Sequence, residues 1–291
     1  MKKGHMMNII VEPEMSAPKL SEQIVLSHDA GEPASWDSFV DSHPHGSFYH
    51  LWAWQRLISE VFAHRPLHII ARRPGDGQIA GILPLFLVRS RLFGRMLVST
   101  PHGSYGGILA NSGSVAEAIL QRARQLAREL DVEFLELRSF RNAVHEDALV
   151  NKDLYVTFRK ELHADPDLNF NSIPKKTRYE IRNGINNGLE FKVDEIGPDE
   201  FFDVYSRNVR QLGTPVFPPR LFTAGREYFG PACKLISVHW KGKLVSAAWT
   251  VFYKMSNSIY LGAENLRILG LGDKLNGWIL SDYMFKAQFF F

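Results

Sequence analysis

Cysteine is almost absent from this chain of 291 residues, because Cys233 is the single one. A lone cysteine cannot form a disulfide within the chain or supply the thiolates of a metal cage. This composition excludes a disulfide-stapled secreted domain and fits a reducing compartment. We therefore expect a cytoplasmic protein.

The chain also lacks a strong charge of either sign and a long apolar run. Its 34 lysines and arginines against 31 acids leave a net charge of +3. A polyanion site therefore has to be a local patch. The longest apolar run, Ile79–Val88, contains Gly81 and Pro84 and is far shorter than the ~20 residues of a membrane-spanning helix. We expect no DNA partner and no integral membrane segment.

What the chain does contain is material for a packed core, with 45% hydrophobic and 12% aromatic residues. Its length fits two domains of ordinary size. Residues 1–23 begin with an apolar stretch that is too short and too interrupted for a secretory signal. We predict a disordered tail over these residues.

A weak internal repeat indicates how the two domains are built. Phe62-x6-Ile69 and Gly77–Ile82 are echoed by Phe229-x6-Ile236 and Gly242–Ala247, at an offset of 165 to 167 residues. Each copy predicts an amphipathic helix, a strand, a glycine turn and a second strand. This order also arises by chance in mixed proteins.

The repeat places the domain boundary near Asp165-Pro166-Asp167, where proline and acids interrupt both periodicities. We predict a first domain over residues 24–165 and a second over residues 166–291. The second copy lacks the last two strands of the first, so we expect its sheet to be incomplete at the C-terminal side.

The segment Pro101–Gly107 follows an apolar strand and predicts a tight loop. Gly106 and Gly107 would let a ligand approach the backbone. The segment is not a Gly-x-Ser-x-Gly nucleophile elbow, because His102 stands where the first glycine belongs.

A basic helix start follows at Pro174. Lys175, Arg178 and Arg182 fall at i, i+3 and i+7 on one face, with Lys176 beside them. Such a face can bind phosphate. A solvated basic face is the equally simple alternative.

The segment Arg267–Gly272 fits the Arg-x-x-Gly-x-Gly loop with which acetyltransferases of the GNAT superfamily hold acyl-CoA. Arg267 would supply a cation, and Gly270 and Gly272 would expose backbone N–H groups to a pyrophosphate. A plain loop with Asp273 as helix N-cap explains the same residues.

Three histidines, His43, His45 and His50, stand close together in the sequence. No carboxylate or thiol at ligand spacing completes the set, and Pro44 argues for a surface turn. We predict no metal site.

Several segments stand in a fixed order between residues 36 and 288. They are Phe48-Tyr49-His50 with Trp54; Gly81-Ile82-Leu83-Pro84-Leu85 with Ser90-x-Leu92-Phe93-Gly94; Tyr105-Gly106-Gly107; Leu135-Glu136-Leu137-Arg138; Lys176-x-Arg178-x3-Arg182-x5-Gly188-Leu189; and Leu212-Gly213-Thr214-Pro215-Val216. Together they resemble the FemAB-like branch of the GNAT-fold acyltransferases, in particular members associated with exosortase (PEP-CTERM) and exopolysaccharide gene clusters.

The resemblance implies a mixed α/β fold of two tandem GNAT-like domains. It implies transfer of an acyl or aminoacyl group to an amine of a sugar, peptide or small-molecule acceptor, with no tightly bound cofactor. The donor would be acyl-CoA or aminoacyl-tRNA. For such a transfer, the Tyr105–Gly107 loop would position the substrate, and Tyr105 would donate a hydrogen bond to the acyl carbonyl. The tRNA option is the less favoured one, because no helical-hairpin arm like that of the cell-wall Fem ligases is visible. A non-catalytic ligand-binding protein, or a truncated inactive member of the fold, is the alternative.

Overall fold

The structure is a computed structural model that describes residues 2–11, 24–27, 32–92, 94–139, 150–159, 163, 165–254 and 256–264. The chain divides into two compact units, Met1–Lys160 and Glu161–Phe291. The boundary expected near Asp165 lies a few residues from this division.

The first unit contains ten strands and three α-helices among its described residues. They are β1 (Lys2–Val11), β2 (Val25–Ser27), α1 (Pro33–Ser42), α2 (Trp52–Phe62), β3 (Arg65–Pro66), β4 (Ile69–Arg72), β5 (Ile79–Leu83), β6 (Phe86–Ser90), β7 (Gly94–Val98), β8 (Leu109–Ala110), α3 (Gly113–Glu129), β9 (Phe134–Ser139) and β10 (Val150–Arg159), with a 3-10 turn over Phe48–His50. Two sheets form, in the orders β10-β1-β9-β7-β6-β3 and β2-β4-β5-β8.

The helix α3 connects β7 to β9, the parallel pair of the first sheet. A parallel pair needs a crossover, and α3 supplies it. Ser112 caps the helix by accepting a hydrogen bond from the Val115 N–H. A Cβ added at Gly81 in β5 would lie 2.8 Å from both Val115 Cγ1 and Ile119 Cδ1. Glycine at position 81 therefore lets α3 pack directly against β5.

The disordered tail expected over residues 1–23 is wrong for Lys2–Val11, which form β1. This strand pairs antiparallel with β10 on one side and with β9 on the other. The interruptions that exclude a secretory segment do not prevent a strand, because ladder hydrogen bonds on both sides satisfy its backbone.

The apolar run Ile79–Val88, which contains the second strand predicted for the first repeat copy, forms two strands in different sheets. The chain leaves β5 after Leu83 and enters β6 at Phe86. Pro84 has no N–H to donate to a ladder, and the Leu85 N–H donates to Nδ1 of His68 at 3.2 Å. Proline and this side-chain acceptor together allow the chain to change sheets.

The second unit is built on an antiparallel sheet of order β11-β12-β13-β14. Its elements are α4 (Pro166–Asn171), α5 (Lys175–Asn186), β11 (Leu189–Val193), α6 (Pro198–Leu212), α7 (Arg220–Phe229), β12 (Cys233–Trp240), β13 (Lys243–Tyr253) and β14 (Ser256–Glu264). Phe201, Phe222 and Trp249 are fully buried. A Cβ at Gly225 would lie 2.4 Å from Trp249 Cζ2, so this glycine lets α7 close on the sheet.

The chain combines α-helices with several sheets, which confirms the predicted mixed α/β class. The two units also share an order of elements. Apart from the two-residue strand β3, which belongs to the other sheet, the series β2-α1-α2-β4-β5 in the first unit matches β11-α6-α7-β12-β13 in the second, and the strands pair in the same sequence. Gly77 and Gly242 both have positive φ, 66° and 73°, which is the conformation expected of the two glycine turns.

Some expectations concern residues that the structure does not describe. The loop residues Arg267, Gly270 and Gly272, the helix expected to begin after Asp273 and the strands expected to be missing from the second sheet lie outside the described residues. Among the helices of the described ranges, none has the length and apolar character needed to span a membrane.

We predict that His68 makes the stability of the protein depend on pH. Its ring is buried among Trp36, Trp52 and Phe86, at centroid distances of 5.4, 5.9 and 5.2 Å, and this burial lowers its pKa to about 4. An unfolded histidine keeps a pKa near 6.5, so the unfolded chain binds the proton first as the pH falls from about 6.5 to about 4. The free energy of unfolding therefore falls over this window.

His68→Asn retains a hydrogen-bond acceptor and removes the titration. Urea unfolding at a series of pH values should give a slope that is shallower by up to about 1.4 kcal/mol per pH unit. His45→Asn is the control for replacing an imidazole at an exposed position. Equal slopes for wild type and His68→Asn would contradict the prediction.

Candidate functional site

A cavity of about 500 Å³ lies in the first unit, beside the N-terminus of α3. Its described lining consists of His43, Pro44, His45, His50, Tyr105, Gly107, Ile108, Leu109, Ala110, Asn111, Ser112, Gly113, Ala116 and Ser139. The set contains no carboxylate, ammonium or guanidinium group. Ligand selection in this cavity therefore depends on hydroxyl, amide, imidazole and backbone groups over an apolar wall.

The Tyr105–Gly107 loop is held at this cavity by segments distant in sequence. Ser47 Oγ lies 3.4 Å from the Tyr105 carbonyl oxygen, and His50 Nε2 lies 3.2 Å from the Gly107 carbonyl oxygen. The Gly106 N–H donates to the Arg138 carbonyl at 2.8 Å. The segments Phe48–His50, Tyr105–Gly107 and Leu135–Arg138 thus converge on one loop.

His50 is the buried centre of this arrangement, with 3% of its surface exposed. A carbonyl oxygen can only accept, so the contact with Gly107 assigns the proton to Nε2. Nδ1 lies 2.8 Å from Ser47 Oγ, and the His50 carbonyl accepts from Trp36 Nε1 at 2.6 Å. Both the imidazole and the backbone carbonyl of His50 are therefore fixed.

His43 is fixed in a similar way. Its Nε2 lies 3.3 Å from the Ala110 carbonyl, and its Nδ1 accepts from the His45 N–H at 3.2 Å. The surface turn inferred from Pro44 is wrong for His43 and His50, since both are buried. Within the described ranges, no group of three or more metal-ligating side chains occurs; the prediction of no metal site stays a prediction.

Close packing explains why positions 106 and 107 of the loop are glycines. A Cβ at Gly106 would lie 1.6 Å from Thr100 Oγ1, and one at Gly107 would lie 2.1 Å from Ser139 Oγ. The space beside these glycines is filled by neighbouring side chains. Their predicted role in substrate positioning stays a prediction.

Tyr105 has a half-buried side chain and lines the cavity. Its ring meets the Tyr49 ring edge-on at a centroid distance of 6.2 Å. Burial raises the pKa of the Tyr49 phenol to about 12, so this neighbour stays protonated at neutral pH. The role of Tyr105 at a substrate carbonyl stays a prediction.

A stack of three rings supports the other side of the loop. The His102 ring lies 3.9 Å from the Phe62 ring and 5.6 Å from the His64 ring. Burial, with smaller effects from nearby His64 and Arg138, lowers the pKa of His102 to about 4, and burial lowers the pKa of His64. Both imidazoles are neutral at physiological pH, which allows them to stack.

The N-terminus of α3 opens at the cavity through Ser112 and Gly113. Ser112 Oγ accepts from the Val115 N–H at 3.3 Å and contacts Ser114 Oγ at 2.9 Å. No atom lies within 4 Å of a Cβ added at Gly113. The positive end of the helix dipole therefore faces open space. The sequence reasoning missed this feature, although Ser-Gly-Ser before an apolar helix is a readable N-cap signal.

The basic residues predicted on α5 belong to the second unit. Arg178 Nη1 donates to the Asn171 carbonyl at 2.6 Å, and the Arg182 guanidinium lies 5.2 Å from the Phe170 ring centroid. Lys175 and Lys176 are exposed. Both arginines thus connect α5 to α4, while phosphate binding by this face stays a prediction.

No protein-family model matches the sequence, and no curated protein matches it. Among solved structures, the chain is similar to FemX, with a TM-score of 0.59, 11% identity and coverage of 91% of this chain and 85% of that one. A conserved protein of unknown function from Bacteroides thetaiotaomicron matches with a TM-score of 0.48 and 13% identity over 92% of this chain and 88% of that one. The similarity to FemX shows that the chain has a FemX-like fold.

We predict that Gly107 and Ser139 are energetically coupled. Gly107→Ala should lower the free energy of unfolding by about 1–3 kcal/mol, because the added methyl overlaps Ser139 Oγ. Ser139→Gly in the same chain should restore most of this loss. Chemical denaturation of the single and double variants measures the coupling.

Gly113→Ala is the control for this cycle, because nothing lies near its Cβ position. It should not destabilise the protein, since alanine has the higher helix propensity. Strictly additive losses for Gly107→Ala and Ser139→Gly would show that the two residues are independent.

Proposed function

We propose that this protein is a FemAB-like transferase that moves an acyl or aminoacyl group onto an amine of a cell-envelope or exopolysaccharide precursor. The observation that carries the proposal is that two resemblance segments, Phe48–His50 and Leu135–Arg138, both contact a third, the Tyr105–Gly107 loop that lines the cavity, within a FemX-like fold. The link to exosortase and exopolysaccharide clusters, and a cytoplasmic location, are predictions from the sequence.

The repeated element order supports two tandem GNAT-like domains as the architecture behind this activity. In each unit a strand and two helices precede an antiparallel strand pair joined by a turn with a positive-φ glycine. Such a shared order is what a duplication would leave. Superposition of β4–β5 and α2 on β12–β13 and α7 tests this directly.

Acyl transfer to an amine needs a deprotonated amine, a polarised carbonyl and fixed orientation of both reactants. The Tyr105 hydroxyl is the proposed donor to the carbonyl oxygen, and Gly106 and Gly107 position the substrate through the loop backbone. The N-terminus of α3 is the proposed site for an anionic part of a substrate. No covalent nucleophile is required by this chemistry.

The donor is acyl-CoA or aminoacyl-tRNA, and the acceptor offers an amine on a sugar or peptide. The lining of the cavity supports a neutral polar acceptor, because hydroxyls and amides such as Asn111, Ser112 and Ser139 can pair with sugar or peptide groups. Cofactor contact by Arg267, Gly270 and Gly272 remains a sequence prediction.

One observation favours a second candidate, a non-catalytic binding protein. The described lining holds no carboxylate, and the imidazoles of His43 and His50 each use both nitrogens in contacts with the protein. Unless the exposed imidazole of His45 acts as a base, such a site would bind an amine-bearing ligand without activating it. The transfer assay distinguishes the two candidates.

The transfer assay uses acyl-CoA and aminoacyl-tRNA as donors, with amino-sugar and peptide amines as acceptors. We expect turnover by the wild-type chain and a loss on the order of 10²-fold in kcat for Tyr105→Phe, because a hydrogen bond made in the transition state is removed. Tyr49→Phe is the matched control in the adjacent ring and should retain activity. Ligand binding without turnover would favour the binding-protein candidate.

We also predict that charge at position 113 controls substrate binding. Gly113→Asp introduces a carboxylate at the start of α3, where it stabilises the helix but repels an anionic substrate group. Its KM should rise about tenfold or more over that of the isosteric Gly113→Asn. Equal KM values for the two variants would remove the helix start from the proposed site.

A further inference from the structure

The outward face of α5 carries cations around an exposed aromatic ring. Lys175, Tyr179 and Arg182 follow one another at i, i+4 and i+7, so they share a face. The opposite face buries Ile181. Tyr179 is 61% exposed, and Ile185 at the edge of the stripe is 55% exposed. The face therefore presents an aromatic and a branched aliphatic side chain among positive charges.

The turn between β12 and β13 extends this surface. Trp240 Nε1 donates to the carbonyl of Asn187, the residue after α5, at 3.1 Å. Lys241 and Lys243 are exposed in the turn, and Lys241 Nζ lies 4.5 Å from the Trp240 ring centroid. The α5–turn surface is hereafter Lys175, Lys176, Tyr179, Arg182, Ile185, Lys241 and Lys243.

Among the described residues, no salt bridge joins Lys175, Lys176, Arg182, Lys241 or Lys243 to a carboxylate. Elsewhere in that unit, carboxylates pair with the following cations: Lys192, Arg207, Arg220, Arg226 and Lys234. The acid of α5, Glu180, lies about 100° around the helix from Tyr179. The surface thus carries positive charge that the described chain does not neutralise.

We propose that the α5–turn surface docks on an anionic lipid bilayer. The cations face lipid phosphates, while Tyr179 and Ile185 enter the boundary between headgroups and acyl chains. A nucleic acid would also attract the cations and stack on Tyr179. A nucleic acid would not stabilise the exposed Ile185, because an aliphatic side chain gains free energy only by leaving water.

Cosedimentation of the full chain with vesicles tests the proposal. We expect binding to vesicles of phosphatidylcholine mixed with phosphatidylglycerol, a decrease with added salt, and little binding to phosphatidylcholine alone. Lys175→Gln and Lys241→Gln should each weaken binding about fivefold. Tyr179→Ser with Ile185→Ser should weaken it on the order of tenfold at every salt concentration, because their contribution is apolar.

Lys254→Gln is the matched control for charge. Lys254 is exposed and follows β13 at its far end from the Lys241–Lys243 turn. The Lys254→Gln variant should bind vesicles as tightly as the wild type does. Circular dichroism should show the same fold for all variants. If Lys254→Gln weakened vesicle binding as much as Lys241→Gln does, the proposal that binding is localised to the α5–turn surface would be wrong.

A second arm separates the lipid from other phosphate sources. Inorganic phosphate or pyrophosphate at matched ionic strength should not displace the protein from the vesicles. A structured RNA that binds through Lys175 and Tyr179, while vesicle binding ignores both residues, would overturn the proposal in favour of a nucleic-acid surface. The proposal does not rest on transferase activity, so its outcome and that of the transfer assay are independent.

Discussion

The end of β9 fixes the loop that follows β7, and the cavity depends on this attachment. The Ser99 N–H donates to the Glu136 carbonyl at 2.9 Å. The Arg138 N–H donates to Ser99 Oγ at 2.7 Å. This side-chain oxygen takes the place of the backbone carbonyl that would accept the next hydrogen bond of the ladder. The chain leaves the sheet there and returns where the Gly106 N–H reaches the Arg138 carbonyl. Because the guanidinium of Arg138 also holds the Gly103 carbonyl at 2.8 Å, one residue of β9 anchors the excursion at two points.

This anchoring holds the loop backbone in conformations that side chains rarely adopt. Thr100 and His102 have positive φ, 52° and 60°, and such residues cost on the order of 1–3 kcal/mol each when the surroundings impose them. The surroundings here are Phe62, on which His102 stacks, and Gly106, whose missing side chain accommodates Thr100. The loop therefore reaches the cavity preorganised, which is what a positioning element for a reacting carbonyl requires.

The sequence indicates the order of elements far better than it indicates burial. The helix over Arg220–Phe229 and the glycine turns at Gly77 and Gly242 follow from local periodicity and turn chemistry, which act over a few residues. The strand β1 could not be found in this way, because its stability comes from pairing with β9 and β10, which lie more than a hundred residues away. The burial of His43 and His50 has the same origin, since their partners are carbonyls of the distant segment Gly107–Ala110.

The electrostatics of the cavity follow from how the charges around it are cancelled. Glu136 pairs with Arg138 at 2.8 Å, and the lowered pKa values of His64 and His102 keep both imidazoles neutral at physiological pH. No carboxylate, ammonium or guanidinium group lies among the described residues that line the cavity, so the start of α3 contributes to the field there. In a site of low polarity, a dipole of about half a charge can orient an anionic group without the tight retention that a fixed lysine would give. A group bound in this way can leave after transfer, which suits turnover better than storage of a ligand.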